Sequence, residues 1–342
     1  MALWPLSRRK LLRAWQALSD RMSWQAARRH LAPHYVTQRW EGEKPLAGAA
    51  KIAVLVHFSP QPFFADYFVY LLRALDQAGF TTVIVSNSPK LDPASLQSIL
   101  PLCGRVLQRK NIGYDFGAWR DGILQTAEIA GAEQLLILND SIFGPLQDLS
   151  GIIDRCRFDR TDVWGMTDSY DGKYHLQSFF ILFGAKALRS AAFTKFWHGM
   201  RYVSSKRVVI FKYEIGLSQA LLKAGLKLKA LYPYRQLSEA VMNRAMANQG
   251  NGQSEFHPLL GDYFQHLLEG VNAGRPFNPT HYFWNYLILE LRFPFVKREL
   301  LEKNPVGVPL LVQWRSAIEA ISDYPVEMIE DYLQTAARNK IF

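Results

Sequence analysis

Two polar clusters in the first half of the chain hold residue types that could bind a phosphorylated ligand. One is "RKNIGYDFGAWRDGI", residues 109–123, which combines glycines, acids, an asparagine and basic residues. The other is "LILNDSIFGP", residues 136–145, in which Asn139 and Asp140 directly follow an apolar run. Ligands of open α/β sheets bind at the carboxyl ends of the strands, so both clusters contain candidate site residues.

The first cluster matches neither GxGxxG nor GxxxxGK[ST], the usual phosphate-binding patterns. It still suits the wall of a ligand site, because glycines let a ligand approach the backbone and a helix N-terminus favours an anion. Arg109, Lys110 and Arg120 add positive charge. The alternative is an ordinary turn, in which Gly113 permits the backbone conformation and Asp115 caps a helix that begins near Ala118.

Asp140 is a candidate metal ligand. A carboxylate at a strand end, together with phosphate oxygens of a ligand, suits a divalent cation such as Mg²⁺ or Mn²⁺. The alternative is a plain turn, since Ser141 and a Gly-Pro pair follow. Both interpretations remain open from the sequence.

Three histidines are further candidates. His57 ends the first predicted strand, where a nucleotide could dock. His175 and Gln177 lie at the start of the apolar run 174–184 and suit either a sugar or acceptor pocket or a structural role. His281, in "NPTHYFW", is a candidate metal ligand.

The elements that would position these residues alternate between strand and helix. Apolar, β-branched runs predict strands, and apolar residues at helical spacing predict helices between them. The predicted strands are 51–58, 81–89, 105–109 and 133–140, and the predicted helices are 63–80, 91–104 and 118–131. This alternation predicts an α/β fold with a mainly parallel sheet flanked by helices.

The second half of the chain is less regular. Strands are predicted at 161–169, 174–184 and 227–233, and helices at 185–200, 213–226 and 280–291. Residues 236–276 are polar and predicted to be irregular. We therefore divide the chain into a basic N-terminal region, a catalytic or binding domain and a mainly helical C-terminal extension, with the bounds 1–45, 50–235 and 236–342.

The N-terminal region carries more than half of the net charge of +10, with nine Lys/Arg against three acids in residues 1–45. A helix is predicted over 7–31, and an apolar stripe along it comprises Leu11, Trp15, Leu18 and Met22. Such a basic amphipathic helix can lie on an anionic membrane surface. Alternatively, it packs on the protein and leaves its arginines in water.

Bulk properties exclude several classes of protein. There is no apolar run of transmembrane length and no signal peptide pattern, and the two cysteines form no CxxC motif. The positive charge lies mostly outside the motif-rich core, and no RNP, KH or zinc pattern suggests a nucleic-acid partner. We expect a cytoplasmic protein that binds no nucleic acid.

Several motifs in order carry a family resemblance. The segments "RKNIGYDFGAWRDGI", "LLILNDSIFGP", "YHLQSFFILFG" and "YEIGLSQALLKAG" resemble the rhamnan-synthesis protein F family of bacterial glycosyltransferase-like proteins, and so does "NPTHYFWNYLILELRFPFVKRELLEKNP". The resemblance spans roughly residues 50 to 305. More broadly, this order of motifs is similar to that of the GT-A glycosyltransferase fold. In that fold an N-x-G turn and a helix precede a strand that ends in an acidic motif, often DxD.

The resemblance implies roles for the two clusters. Asn111, Gly113 and Asp115 would lie at the donor pocket. Asn139 and Asp140 would lie where the GT-A motif that binds the metal and the diphosphate falls. This sequence has ND in place of DxD, which puts metal dependence in doubt. Such a site would be complete if one carboxylate bound the metal ion together with the diphosphate. It would also be complete if basic residues replaced the metal ion.

The resemblance also implies a candidate base for inverting transfer, in which a carboxylate deprotonates the acceptor hydroxyl. That candidate is Glu214 in "KYEIGLS". Asp168 and Asp171 are alternative candidates for the base, and Asp168 is also a candidate for the sugar pocket. The alternative for Glu214 is to cap its helix or to pair with Lys212.

The implied function is transfer of a sugar, with rhamnose as the implied sugar and dTDP-rhamnose as the candidate donor. The implied acceptor is a cell-surface polysaccharide or a lipid-linked glycan at the inner face of the cytoplasmic membrane. The alternative is a non-catalytic sugar-binding or scaffold component of a polysaccharide assembly complex.

Overall fold

The computed structural model describes residues 4–29, 34–250 and 258–338. Its strands are β1 Val36–Glu41, β2 Lys51–His57, β3 Thr81–Ser86, β4 Arg105–Arg109, β5 Gln134–Asn139, β6 Ile142–Phe143, β7 Val163–Ser169, β8 His175–Leu176, β9 Phe180–Gly184, β10 Leu228–Tyr232 and β11 Val296–Lys297.

Helices precede, connect and follow these strands in the described chain. They are α1 Trp4–Arg29, α2 Asp66–Gln77, α3 Pro93–Ile99, α4 Tyr114–Leu124, α5 Leu149–Asp154, α6 Ala185–Leu188, α7 Ala191–Gly199, α8 Lys206–Val209, α9 Ile215–Lys223, α10 Tyr234–Gly250, α11 Pro258–Asn272, α12 Pro279–Tyr282, α13 Trp284–Leu289, α14 Arg298–Lys303, α15 Trp314–Glu319 and α16 Glu327–Arg338. Short 3₁₀ turns cover Leu100–Leu102, Ala127–Gly131 and Pro309–Gln313, and a π-helical turn covers Ile210–Glu214.

The central sheet has the strand order β1–β4–β3–β2–β5–β9–β7–β10, and β8 pairs with β7. The four strands β4, β3, β2 and β5 run parallel, whereas β1 and β9 are antiparallel to their neighbours. A separate pair joins β6 to β11. The predicted fold class, a mainly parallel sheet flanked by helices, is confirmed.

Both faces of the sheet are covered. Alternate residues of β2 enter different cores: Ala53 and Leu55 pack with α2, whereas Val54 and Val56 pack with α4. This double burial explains why the β2 segment is a continuous apolar run.

The C-terminal helices share the first of these cores. Leu300 of α14, Ile318 of α15 and Ile329 of α16 are fully buried in the same cluster as Phe68 of α2 and Phe180 of β9. The division at 235/236 stays a prediction.

Residues 236–276 were predicted to be irregular, and this is wrong for 236–250 and 258–272, which form most of α10 and all of α11. Leu237 and Val241, one helical turn apart in α10, are buried, and the polar residues around them hide this short apolar stripe in the sequence.

Two predicted elements are interrupted. The apolar run 174–184 forms β8 and β9 rather than one strand, because Gln177 and Ser178 between them hydrogen-bond to other elements. The predicted helix 280–291 breaks at Phe283, whose backbone (φ −109°, ψ 19°) separates α12 from α13.

The N-terminal helix was predicted over 7–31 and forms over Trp4–Arg29, with residues 30–33 outside the described part. Its inner face meets the region around α8, where Ser205 Oγ donates to Asp20 at 2.7 Å and Arg207 lies 3.2 Å from Asp20. No helix among the described residues is long and apolar enough to span a membrane.

Candidate functional site

The parallel strands bring both polar clusters to one edge of the sheet. The pairs Val56↔Asn139, His57↔Ser86 and Ser86↔Gln108 set the carboxyl ends of β5, β2, β3 and β4 beside one another. The buried polar residues at these strand ends include His57, Asn87, Arg109, Asn139 and Asp140.

Asn139 joins the two clusters. Its Nδ2 donates to Asp115 Oδ2 at 2.7 Å, and its Oδ1 accepts from the backbone N–H and the hydroxyl of Ser141 at 3.2 and 2.5 Å. Burial and then the nearby Asp140 carboxylate raise the pKa of Asp115 to about 6, against the lowering effect of the Asn139 hydrogen bond. Asp115 can therefore exchange a proton near neutral pH.

Asp140 is held from two sides. Its Oδ2 accepts from the backbone N–H of Phe58 at 3.0 Å and lies 3.4 Å from Nη1 of Arg298. The same Nη1 donates to the hydroxyl of Tyr67. Asp140 and the guanidinium thus form a largely buried ion pair at the strand end.

Lys297 and Arg298 are site residues that sequence reasoning missed. They follow the apolar "FPFV" and lie at the junction of β11 and α14. The pair Lys297↔Ile142 and the bond from Arg298 N to Ser141 O at 2.9 Å place both beside the end of β5. The available signal was two adjacent basic residues directly after an apolar run.

Lys297 lies over Phe179, with Nζ 4.1 Å from the ring centroid, and donates to Ser141 Oγ at 2.9 Å. Burial lowers the pKa of Lys297 to about 8, against the raising effect of the carboxylates of Glu214, Asp115 and Glu299. The residue is therefore a cation at neutral pH that stands close to losing its proton.

Glu214 lies at the end of the π-helical turn that precedes α9. Its Oε1 accepts from the backbone N–H and the hydroxyl of Ser178 at 2.9 and 2.8 Å. Because its charge acts on Lys297, it belongs to the same neighbourhood as Asp115. The structure thus brings Glu214 towards the strand-end cluster, and its role as the base stays a prediction.

A cavity of about 570 Å³ opens beside the ends of β3 and β4. It is lined among others by Asn111, Lys110, Gln108, Asn87 and Phe58, so the predicted donor residue Asn111 faces an open space. Polar side chains and one aromatic ring around such a space suit a nucleoside.

Arg109 holds the first cluster in shape. Its side chain is fully buried and donates to Asp121 at 2.7 Å, to Asn87 Oδ1 at 2.5 Å and to the carbonyl oxygen of Ile112 at 2.7 Å. The buried guanidinium therefore ties β4 to α4 and fixes the turn between them.

Gly113 ends this turn in the left-handed region, with φ 85°, as the residue before α4. The helix begins at Tyr114 rather than near Ala118, so Asp115 lies in its first turn and the predicted capping position is wrong. Arg120, further along α4, donates to the hydroxyl of Tyr202 at 2.5 Å and lies 3.6 Å from Asp121. Its donor-binding role stays a prediction.

His57 is buried at the end of β2, where Nδ1 lies 3.1 Å from Ser86 Oγ and 3.4 Å from Ser88 Oγ. Burial lowers its pKa to about 4, although the Asp140 carboxylate acts in the opposite direction. His57 is therefore neutral at physiological pH.

Asp168 lies at the end of β7, His175 lies in the partner strand β8, and Gln177 directly follows β8. Asp168 accepts from the backbone N–H of Tyr234 at 2.6 Å, and burial raises its pKa. His175 Nδ1 lies 2.8 Å from the Lys173 carbonyl oxygen.

Gln177 connects this group to the rest of the site. It accepts from the Thr167 hydroxyl at 2.6 Å and donates to Asn278 at 3.2 Å. Its neighbour Ser178 bonds Glu214, so the group is joined to Glu214 through consecutive residues. A sugar-pocket role for these residues stays a prediction.

The arrangement fits a divalent cation poorly. Among the described residues, no group of three or more His, Cys, Asp or Glu side chains is placed to hold a metal ion. Asp140 already faces a guanidinium at 3.4 Å, and a cation bound there would repel it. His281 is buried in α12, and burial and then the positive charge of Lys297 lower its pKa to about 4.

The fold is α/β, with a cluster of buried polar residues at the carboxyl ends of its parallel strands. Residues 82–248 match the family model described as rhamnan synthesis protein F. "Virulence protein VirA" of Vibrio anguillarum is 30% identical over 227 residues, which are 65% of this chain and 70% of that protein. The chain belongs to the rhamnan synthesis protein F family.

Two further comparisons concern a second relative and a solved structure. "Uncharacterized protein y4gN" of Sinorhizobium fredii is 33% identical over 232 residues, 66% of this chain, and the match spans 58% of the length of that protein. The solved mannosyltransferase PcManGT of Pyrobaculum calidifontis, in complex with GDP-Man and Mn²⁺, is 12% identical with a TM-score of 0.35, over 97% of this chain and 91% of that one. At this score the likeness assigns no residue roles.

Proposed function

We propose that the protein is a glycosyltransferase that moves a sugar from a nucleotide-activated donor to an acceptor hydroxyl. The observation that carries this proposal is the cluster of Asp115, Asn139 and Asp140 with two cations, beside a cavity at the carboxyl edge of the parallel strands. Membership of the rhamnan synthesis protein F family supports the same class of reaction.

The nucleoside would occupy the cavity beside Asn111 and Gln108, and its diphosphate would extend towards Asn139 and Asp140. In the reaction, the bond between the anomeric carbon and the diphosphate oxygen breaks, and its electron pair stays on the diphosphate. The acceptor oxygen forms the new bond to that carbon. Positive groups near the leaving oxygen lower the barrier because negative charge develops there.

The acceptor hydroxyl must lose its proton during an inverting attack, and we assign the role of the accepting base to Glu214. Ser178 uses only Oε1 of this carboxylate, in a pair of hydrogen bonds that orients it. The proton would pass to the carboxylate as the acceptor oxygen attacks. The fixed orientation of Glu214 supports this assignment.

We propose rhamnose as the sugar, dTDP-rhamnose as the donor, and a polysaccharide or lipid-linked glycan as the acceptor. The family name supports the sugar. A lipid-linked acceptor agrees with a peripheral contact at the inner face of the cytoplasmic membrane, for which the N-terminal helix is suited. Trp15, Leu18 and Met22 of α1 are 69%, 49% and 61% exposed.

The direct test is incubation of the purified protein with dTDP-rhamnose and a lipid-linked acceptor, with the product analysed by mass spectrometry. Glu214→Gln should lower kcat by about a hundredfold or more, the usual contribution of a general base. Glu133→Gln, at an exposed position before β5, should leave the rate unchanged. Donor binding by the wild type without turnover or hydrolysis would instead indicate a sugar-binding component of an assembly complex.

A further inference from the structure

We propose that Lys297 and Arg298 clamp the diphosphate of the donor and do the work of a divalent cation at this site. The inference rests on the proposed function, since it concerns the leaving group of that reaction. Four observations of the described residues support it, and each concerns a different property of the pair.

The first observation is position. The antiparallel pairing of β11 with β6 places Lys297 and Arg298 beside Ser141, directly after Asn139 and Asp140. This is the carboxyl edge at which ligands of parallel sheets bind. Two cations therefore lie next to the strand end that the resemblance assigns to the diphosphate.

The second observation is the hydrogen-bonding capacity of Lys297. Its ammonium has three donors, and Ser141 Oγ accepts one of them at 2.9 Å. The Phe179 ring supports the charge from one side, at 4.1 Å. The side chain is thus held in place, and two donors of its ammonium remain for a ligand oxygen.

The third observation is the way Arg298 is held. Nη1 lies 3.4 Å from Asp140 and donates to Tyr67, and the guanidinium stacks over Tyr332 at 5.0 Å. Its Nε is buried, lies 3.9 Å from Glu302 Oε1 and has no hydrogen-bond partner among the described residues. A guanidinium is planar and suited to phosphate oxygens, so a fixed one is a ready anion site.

The fourth observation is the poor fit of a metal ion. Asp140 Oδ2 is taken by the Phe58 N–H and faces Arg298, and Asp115 is bonded to Asn139. A divalent cation bound to Asp140 would lie against the fixed positive charge of Arg298. A diphosphate, by contrast, would bring negative charge towards both cations.

The test is calorimetric titration of the full chain with dTDP, UDP, GDP, CDP, ADP and inorganic pyrophosphate, in EDTA and again with Mn²⁺. The tightest binder then serves as the probe for variants. We expect its Kd in EDTA and in Mn²⁺ to agree within about twofold. Lys297→Met should raise Kd at least about tenfold, because it removes one of the two charges that face the diphosphate.

Lys303→Met is the matched control, since Lys303 lies on the same helix α14 with an exposed side chain and an ion pair to Glu299. It should change Kd by less than about twofold. Arg298→Lys keeps a charge beside Asp140 and should weaken binding less than Arg298→Met. Circular dichroism and thermal unfolding of each variant verify folding.

The outcomes separate the two proposals. Binding that needs Mn²⁺ and disappears in EDTA would overturn the clamp and leave the proposed function standing. An unchanged Kd in folded Lys297→Met would also overturn the clamp. If none of these probes binds with or without Mn²⁺, both the clamp and the proposed function are wrong.

Discussion

Lys297 lies in contact with Phe179 and Ser141, and four charged groups act on its ammonium. Burial most of all, and also Arg298, disfavour the charged form, whereas Glu214, Asp115 and Glu299 favour it, and the net result is a pKa of about 8. Nucleoside diphosphates are fully ionised above neutral pH, so this residue sets the expected pH dependence of binding.

The affinity for a nucleoside diphosphate should therefore fall as pH rises through about 8. At pH 9 about nine tenths of Lys297 is neutral, and Kd should be about tenfold higher than at pH 7. Titration calorimetry at four pH values between 7 and 9 measures this. Lys297→Arg, which keeps its charge, should give a nearly flat profile; an equally steep profile in that variant would contradict the assignment.

His57 gives a second pH dependence, this time of stability. Its pKa is lowered from 6.5 to about 4 by burial, so the unfolded chain binds a proton at a higher pH than the folded chain. Stability is therefore lost as pH falls from about 6.5 towards 4. The loss from this residue should reach about 3 kcal/mol at pH 4.

Chemical denaturation of wild type and His57→Asn at pH 7, 5.5 and 4 measures this loss. The wild type should lose more free energy of unfolding than the variant over this range. Asp115, whose pKa is raised to about 6, has the opposite sign, and the comparison between the two proteins removes its effect. Equal losses in both proteins would show that His57 is not the cause.

At the residue level, the sequence indicated the strand-end residues but not their partners. Asn139 and Asp140 could be predicted because an apolar run ends in front of them. Their neighbours Lys297 and Arg298 could not, because the pairing of β11 with β6 joins two-residue strands that carry no periodic signal. Likewise, no local sequence pattern indicates that the Arg109 side chain forms a buried ion pair with Asp121.

Among the elements, the turn before α4 depends on Gly113. A Cβ added there would lie 3.1 Å from Cδ1 of Tyr202 and would require a side chain at φ 85°. Gly113→Ala should lower the free energy of unfolding by about 1–3 kcal/mol because of this strain. Gly199→Ala, at a position with nothing within 4 Å of the added Cβ, should be close to neutral. Urea denaturation of both variants checks the difference.

The helix α1 presents one face to the protein and another to the surroundings. Trp24 lies under Arg201 and Lys212, at 5.7 and 5.3 Å, and Ala27 is buried. The predicted stripe lies elsewhere on the helix, and its described members Trp15, Leu18 and Met22 are exposed, while the side chain of Leu11 lies outside the described part.

Exposed apolar residues on a basic helix should bind anionic vesicles. In a sedimentation assay with vesicles containing one third phosphatidylglycerol, the triple variant Trp15→Ser, Leu18→Ser, Met22→Ser should lose at least about tenfold in bound fraction per lipid. Val312→Ser, which removes an apolar side chain that is 85% exposed outside α1, is the control. Equal binding by both variants would argue against a membrane contact through this helix.

The parallel strands were the most predictable elements, because burial on both faces makes them continuous apolar runs. Elements whose position depends on distant partners were not predictable in this way. β1 lies at the sheet edge and has the mixed sequence VTQRWE, and it is held by pairing with β4. The split between β8 and β9 depends on bonds from Ser178 to Glu214.

For the molecule as a whole, the C-terminal helices and the sheet share one core, so they should unfold together. Leu300→Ala removes a fully buried side chain from that core and should cost about 2–5 kcal/mol. The expected result is a single calorimetric transition shifted to lower temperature. A new early transition, with the remainder unchanged, would indicate that residues 236–342 form an independent domain.

The pairing of β11 with β6 also has a consequence for how the molecule is made. Ser141 and its partner Lys297 are 156 residues apart in the chain. At a synthesis rate of 5–20 residues per second, the ribosome needs about 8–30 s to add the second after the first. During that interval the nascent sheet would expose the strand end with Asp140 before its positive partners exist, so a ribosome-bound chain that stops short of β11 should not retain a nucleoside diphosphate.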